Sequence, residues 1–407
     1  VTRPQLLRFA SWLPAFLLFT FLAGCGGGGG GSPAPTRLQN TNTVAGPSIP
    51  GGNVLAIRVD RGTDGSAFNS PFVTVTICEP GTSTCVDVDR VIVDTGSNGL
   101  RLSASALSGV TLPRVTNASS DPVGECAQFA SGFTWGGVRR ADVRLATLTA
   151  PSVPIQVIAD GQLPVPPAAC SGTGANLGAS SGINGILGVG LREQDCGTSC
   201  ATTLTGVYYG CSGNACTATR LPVASQVTNP VSRLPTDNNG VVVVLPPVPT
   251  GGAAVVTGSL VLGIDTQPNN QLGSATVLTA DAQGFFTTVY NGVTYPKSFL
   301  DSGSNGLFFA DPGIPNCSPN PDFYCPTSTL ALNATQIGAN GTSRAIDFTI
   351  ESVGALTANT AAANVAGSAG SLTQSFDWGL PFFFGRSVYV AISGAGTSAG
   401  PGPFWAY

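Results

Sequence analysis

Histidine and methionine are absent from this sequence, and Lys297 is its single lysine. Without histidine the chain lacks the usual base of a Ser or Cys triad and the commonest metal ligand. Charge of either sign is scarce: charged residues make up 9% of the chain, against roughly 25% in an average soluble protein. The net charge of −4 offers no basic footprint for nucleic acid. Long stretches of helical period are missing too. What is plentiful is Gly (54) and Pro (31), with many Thr, Ser, Val and Ala, the composition of a loop-rich β protein. From about residue 51, short apolar or alternating runs are separated by Gly, Pro, Asn or Asp; "NVLAIRV", "PFVTVTI", "DRVIVD", "ADVRLATL", "PIQVIA", "GVVVVL" and "GSLVLGI" are examples. They predict an all-β architecture, antiparallel because the connections look too short for helical crossovers. "TLALNATQI" (329–337) is the one stretch that suggests a short helix. A length of 407 residues accommodates two lobes.

The N-terminus reads as a targeting segment, with Val1 as a literal translation of a GTG start. Arg3 and Arg8 form a positive region before the apolar "FASWLPAFLLFTFLAG", which predicts a signal peptide over 1–24. The run is short for a membrane span, and Pro14 weakens that reading further. "LAGC" (22–25) resembles the bacterial lipobox, which implies a lipid anchor on Cys25; a plain secretory signal is the alternative. Gly26 rather than Asp follows Cys25, so outer-membrane rather than inner-membrane placement in the cell envelope is expected. Residues 25–50, opening with "GGGGGGSPAPT" after the cysteine, read as a flexible tether. Of 11 cysteines, ten remain beyond Cys25, an even number suited to disulfides in an oxidising compartment. They fall into neighbouring pairs: Cys78 and Cys85, Cys126 and Cys170, Cys196 and Cys200, Cys211 and Cys216, Cys317 and Cys325. Sequence leaves the connectivity open, but nearest-neighbour pairing would staple loops. Neither "CGTSC" nor "CSGNAC" has Cys-x-x-Cys spacing, so no metal site is predicted.

The most informative feature is an internal repeat. "VDTGSNGLR" (93–101) recurs as "LDSGSNGLF" (300–308), each after an apolar run, with Asp, Gly, Ser, Asn, Gly and Leu in register. Asp-x-Gly alone carries no signal in so Gly-rich a chain, as "DRG" at 60, "DPG" at 311 and "DWG" at 377 illustrate. The duplicated loop is what a two-carboxylate site needs. Asp94 and Asp301, brought about 3 Å apart, would share one proton, because like charges at that distance resist joint ionisation. One could then activate a water while the other protonates a carbonyl or leaving group. The hydroxyls of Thr95, Ser97, Ser302 and Ser304 can orient the pair, and Gly96 and Gly303 let backbone amides approach. The competing reading makes both Asp residues mere turn caps.

At these residues the chain resembles the bilobal pepsin-like aspartic proteases, whose lobes each carry apolar-apolar-Asp-Thr/Ser-Gly-Ser/Thr. "FTWGGVRRADVRL" (133–145) is similar to the family's flap hairpin, with Trp135 and Gly136 at its centre and Trp135 where a Tyr is usual. "GINGILGVG" (182–190), "GSLVLGID" (258–265) and "DWGLPFFFGRSVYV" (377–390) resemble further segments of that fold, so the likeness spans nearly all of 51–390. With its lipobox the whole also resembles an uncharacterised group of proteobacterial lipoproteins. The resemblance implies an N-terminal lobe over 51–250, a C-terminal lobe over 251–407 and a central cleft. It implies an aspartic endopeptidase that uses Asp94 and Asp301, binds extended peptide, closes Trp135 over it and needs no cofactor. A monomer is expected, with its membrane contact made through Cys25. Two positions depart from the pattern. Arg101 replaces the Trp that supports the flap, and a cation there would favour double ionisation of the pair; Leu380 stands where Asp is common. These departures fit an alternative, a protein that holds a peptide or glycan in the cleft without cleaving it.

Overall fold

A computed structural model describes residues 43–179, 182–356, 360–370 and 372–407. The predicted signal peptide, Cys25 and most of the tether lie outside the described residues. The end of the 25–50 stretch does join the fold: Thr43–Ala45 pairs in parallel with strand Val255–Leu262.

The chain is all-β. Helical pieces among the described residues are single turns, such as Ala168–Ser171 and Thr198–Thr202. Among the described residues, strands form sheets of 17, seven and two members, the seven-stranded sheet gathering the strands between Phe286 and Gly379. Within the largest sheet, Val54–Val59, Val255–Leu262, Gly240–Leu245, Arg386–Ala391, Phe404–Ala406 and Val277–Thr279 lie side by side, each antiparallel to the next. This row takes strands from both sides of residue 250.

Two expectations are corrected. "TLALNATQI" is not helical: Leu330–Ile337 is a strand between Phe286–Tyr290 and Ser343–Ile350. Its even-numbered residues face inward more than the odd ones, and Asn333 donates to Asp347 across the pair at 2.7 Å. Two hydrogen-bonded neighbours outweigh the weak helix preference of Leu and Ala. The sheets are also not purely antiparallel. Cys85–Asp94 runs parallel to Gly185–Val189, and Val293–Asp301 parallel to Asp377–Gly379. The partners are distant in sequence, and β structure rather than a helix fills the crossover.

Both parallel pairs back the repeated loops. Val91, Ile92 and Val93 are fully buried because their strand is flanked on one side by Phe72 and Val73 and on the other by Gly185–Leu187. Behind the second loop, Phe309, Phe376 and Trp378 stack with ring centroids 4.6 and 4.2 Å apart. The Trp378 indole donates to Thr288 Oγ1 at 3.0 Å, which satisfies its buried N–H. The ten cysteines form five disulfides, each between the sequence neighbours named above.

Candidate active site

Each copy of the repeat ends a buried strand on its Asp and turns sharply at the following Gly. In the first, the Gly96 amide donates to Asp94 Oδ1 at 2.8 Å and the Ser97 hydroxyl donates to Oδ2. In the second, the amides of Gly303 and Ser304 donate to Asp301 Oδ1 at 2.8 and 3.2 Å, and the Ser304 hydroxyl lies 3.0 Å from Oδ2. The two loops then clasp one another. Thr95 N donates to Ser302 Oγ at 3.1 Å, and Ser302 N donates to Thr95 Oγ1 at 2.9 Å. The same two hydroxyls reach back to the strand carbonyls of the opposite loop, Thr95 to Leu300 at 2.8 Å and Ser302 to Val93 at 2.7 Å. Four reciprocal bonds thus hold two turns that are remote in sequence.

That clasp brings the carboxyls together. A Cβ on Gly96 would stand 2.6 Å from Asp301 Cγ, so no larger residue fits between the second carboxyl and the first turn. Asp94 and Asp301 hydrogen-bond to one another, and both are fully buried. Burial pushes Asp94 up to about 6, against the bonds from Ser97, Asp301 and the Gly96 amide that pull it down. Burial pushes Asp301 well above the usual carboxylate range, and the negative charges of Asp377 and Asp94 push it further. All eight predicted loop residues therefore meet in one place.

The register around the two loops is equivalent. Gly188 lies opposite Asp94 and Gly379 opposite Asp301, each on the crossing parallel strand. Two residues earlier those strands carry Ile186 and Asp377; the antiparallel neighbours facing them are Arg101 and Phe308. Asp377 was missed in the sequence because its Asp-Trp-Gly looks like a chance motif. Its carboxyl is 1% exposed, and its Oδ2 stands 2.7 Å from Ser304 Oγ.

Arg101 acts on the dyad in the expected direction, but weakly. Its guanidinium is turned to Glu125 Oε1 at 2.6 Å and Asp195 Oδ2 at 3.3 Å, and donates to the Asn98 carbonyl at 2.9 Å. Two carboxyls thus share its charge, and it lowers the Asp94 pKa less than the bonds from Ser97, Asp301 and the Gly96 amide do. Burial would lower the Arg101 pKa, but Glu125 and Asp195 raise it instead. Burial drives Glu125 well up despite Arg101, and Tyr208, which donates to Asp195 at 2.6 Å, is driven up likewise. Glu125 sits on strand Val123–Phe129, directly opposite Gly136. The ion pair therefore ties the strand after the first loop to the predicted flap hairpin.

Trp135 and Gly136 lie inside that hairpin, as strand Gly132–Leu145. The Trp135 indole is 6% exposed, donates to the Pro164 carbonyl at 3.0 Å and meets Tyr209 edge-on at 5.6 Å. A Cβ on Gly136 would fall 1.9 Å from the Val157 carbonyl oxygen. Both residues are fastened into packed structure in this conformation, and the Cys126–Cys170 disulfide packs beside the indole. Among the described residues no group of His, Cys, Asp or Glu is arranged to hold a metal ion.

Residues 50–407 match a family described as "Protein of unknown function (DUF3443)". No curated protein matches the chain. Among solved structures, the crystal structure of an aspartic proteinase from Irpex lacteus is similar at 17% sequence identity and a TM-score of 0.50, over 87% of this chain and 96% of that one. At such low identity the likeness shows an all-β, pepsin-like fold.

Proposed function

The chain belongs to that family of unknown function, and from the site it carries we propose that it is an aspartic endopeptidase. The observation that carries this reading is the clasp of two duplicated loops around hydrogen-bonded Asp94 and Asp301. In this reading the two loops come from two related lobes, and an extended peptide lies between them. One carboxyl of the pair holds a proton and the other is ionised. The ionised one takes a proton from a water as the water oxygen bonds to the peptide carbonyl carbon. The protonated one gives its proton to the carbonyl oxygen. The resulting diol collapses as the amide nitrogen accepts the proton just taken from water and the C–N bond breaks. A diol proton returns to the second carboxylate, leaving carboxylic acid, amine and the original pair.

The lipobox-like "LAGC" supports placement in a bacterial envelope through an acylated Cys25. Acyl-probe labelling that is lost in Cys25→Ala supports the anchor, and equal labelling of both proteins rejects it.

A second reading, a protein that binds peptide or glycan without cleaving it, is favoured by one observation. Both carboxyls are 0% exposed and Trp135 is packed away, so substrate reaches the pair only if covering structure moves. Peptide-library cleavage from pH 3 to 7, with calorimetry of a statine-type inhibitor, separates the two. Cleavage and tight statine binding, both lost in Asp94→Asn and in Asp301→Asn, support the protease. Peptide binding that neither substitution affects supports the receptor.

A further inference from the structure

The two loops are equivalent in register but not in chemistry. Opposite the residue two before Asp94, the crossing strand places apolar Ile186; the equivalent place beside Asp301 holds the buried carboxyl of Asp377. Ser97 Oγ donates to Asp94, whereas Ser304 Oγ stands between two carboxyls, 3.0 Å from Asp301 Oδ2 and 2.7 Å from Asp377 Oδ2. A hydroxyl has one proton to give. The nearer Asp377 competes for that proton, so an ionised Asp301 loses a donor that an ionised Asp94 keeps from Ser97. Two anions around one hydroxyl in a water-excluded site would be costly.

We propose that Asp377 is a positioning residue that breaks the symmetry of the pair, keeping the proton on Asp301 and leaving Asp94 as the carboxylate. The proposal rests on the protease reading and deepens it. Asp301 becomes the acid that protonates the peptide carbonyl, and Asp94 the base that takes the proton from water. The other charged groups nearby do not compete for this role. Arg101 faces the Asp94 side and is itself paired with Glu125 and Asp195. Strands Gly185–Val189, Leu307–Phe309 and Ala366–Ser368 contribute no ionisable side chain. The direction of the Asp301 shift, to which Asp377 adds after burial, agrees with this assignment.

The test follows the carboxyl carbons of 13C-aspartate-labelled protein by NMR through pH 3 to 9, in wild type and in Asp377→Asn. Asn keeps the shape and a hydrogen bond to Ser304 but removes the charge. In the wild type near pH 7 the Asp301 signal should be that of a protonated acid and the Asp94 signal that of a carboxylate; the reverse overturns the proposal without any variant. In Asp377→Asn the upper titration should fall by on the order of one pH unit. The upper limb of the cleavage profile should fall by the same amount. Asp377→Ile, which copies the Ile186 side, should shift both in the same direction. An unmoved upper titration in a folded variant overturns the role of Asp377 even if the protein is a protease. Absence of cleavage and statine binding in the wild type instead defeats the protease reading, while the NMR assignment still decides where the proton sits.

Discussion

Replacing Asp94 by Asn should make the protein more stable at neutral pH and less stable in acid, although Asp94 lies in the centre of the site. The carboxyl is 0% exposed, and its pKa rises from 3.8 to about 6 on folding. A folded pKa above the unfolded one means that the folded state holds the proton more tightly. Its contribution is then fully present below about pH 3.8 and is lost as pH rises to about 6. At about 1.4 kcal/mol per pH unit, the shift of about two units removes about 3 kcal/mol of stability by pH 7. Asn cannot ionise and escapes this loss. It has one carbonyl where Asp has two oxygens, so the Gly96 amide and the Ser97 hydroxyl can no longer both be served, at a cost of about 1 kcal/mol. The variant should therefore be about 1 kcal/mol weaker than wild type at pH 3 and about 2 kcal/mol stronger at pH 7. Because Asp94 and Asp301 titrate together, the change in the gap reports the pair, and relief of Asp301 acts in the same direction. Urea unfolding of both proteins at the two pH values, with disulfides intact, reads the gap directly. Carboxylates elsewhere cancel, being common to both chains. A gap that is equal at pH 3 and pH 7, or that turns against Asn as pH rises, would refute the reasoning.

Gly96→Ala drives a Cβ to 2.6 Å from Asp301 Cγ, so statine affinity should drop on the order of 100-fold by calorimetry. Affinity within a few-fold of wild type would show that the loops do not approach as described. Arg101→Met strands the buried Glu125 and should cost about 3–5 kcal/mol in urea unfolding. Arg101→Met with Glu125→Met should recover part of that loss; a single variant as stable as wild type would mean that Glu125 is already neutral. The Cys126–Cys170 bridge closes the longest of the five loops, with a sequence separation of 44. Changing both residues to Ala should cost about 4 kcal/mol by chain entropy. Changing Cys196 and Cys200, separated by 4 residues, should cost only about 2 kcal/mol. Equal losses would argue against an entropic origin.

Features set by short-range pattern were legible in the sequence. Alternating runs broken by Gly and Pro predicted strands, the duplicated Asp loops predicted a pair, and neighbouring cysteines did become partners. Each depends on residues within a few positions, or on a repeat that names its own counterpart. Leu330–Ile337 was misread because its own preference is weak and two neighbouring strands decide its state. The effect of Arg101 on the pair keeps its expected direction but is small, because its charge is shared with Glu125 and Asp195, neither of which its loop predicts. Asp377 was hidden for the same reason, since its meaning comes from the parallel register that sets Gly379 beside Asp301. By itself the sequence determined that the chain folds as β structure and that two carboxylates form a pair, because turn chemistry and strand period are local. Which buried charges face which, and so which side of the pair has a third carboxyl as neighbour, only the tertiary structure decided. Desolvation and Coulomb forces depend on distance in space, and distance in sequence does not fix it.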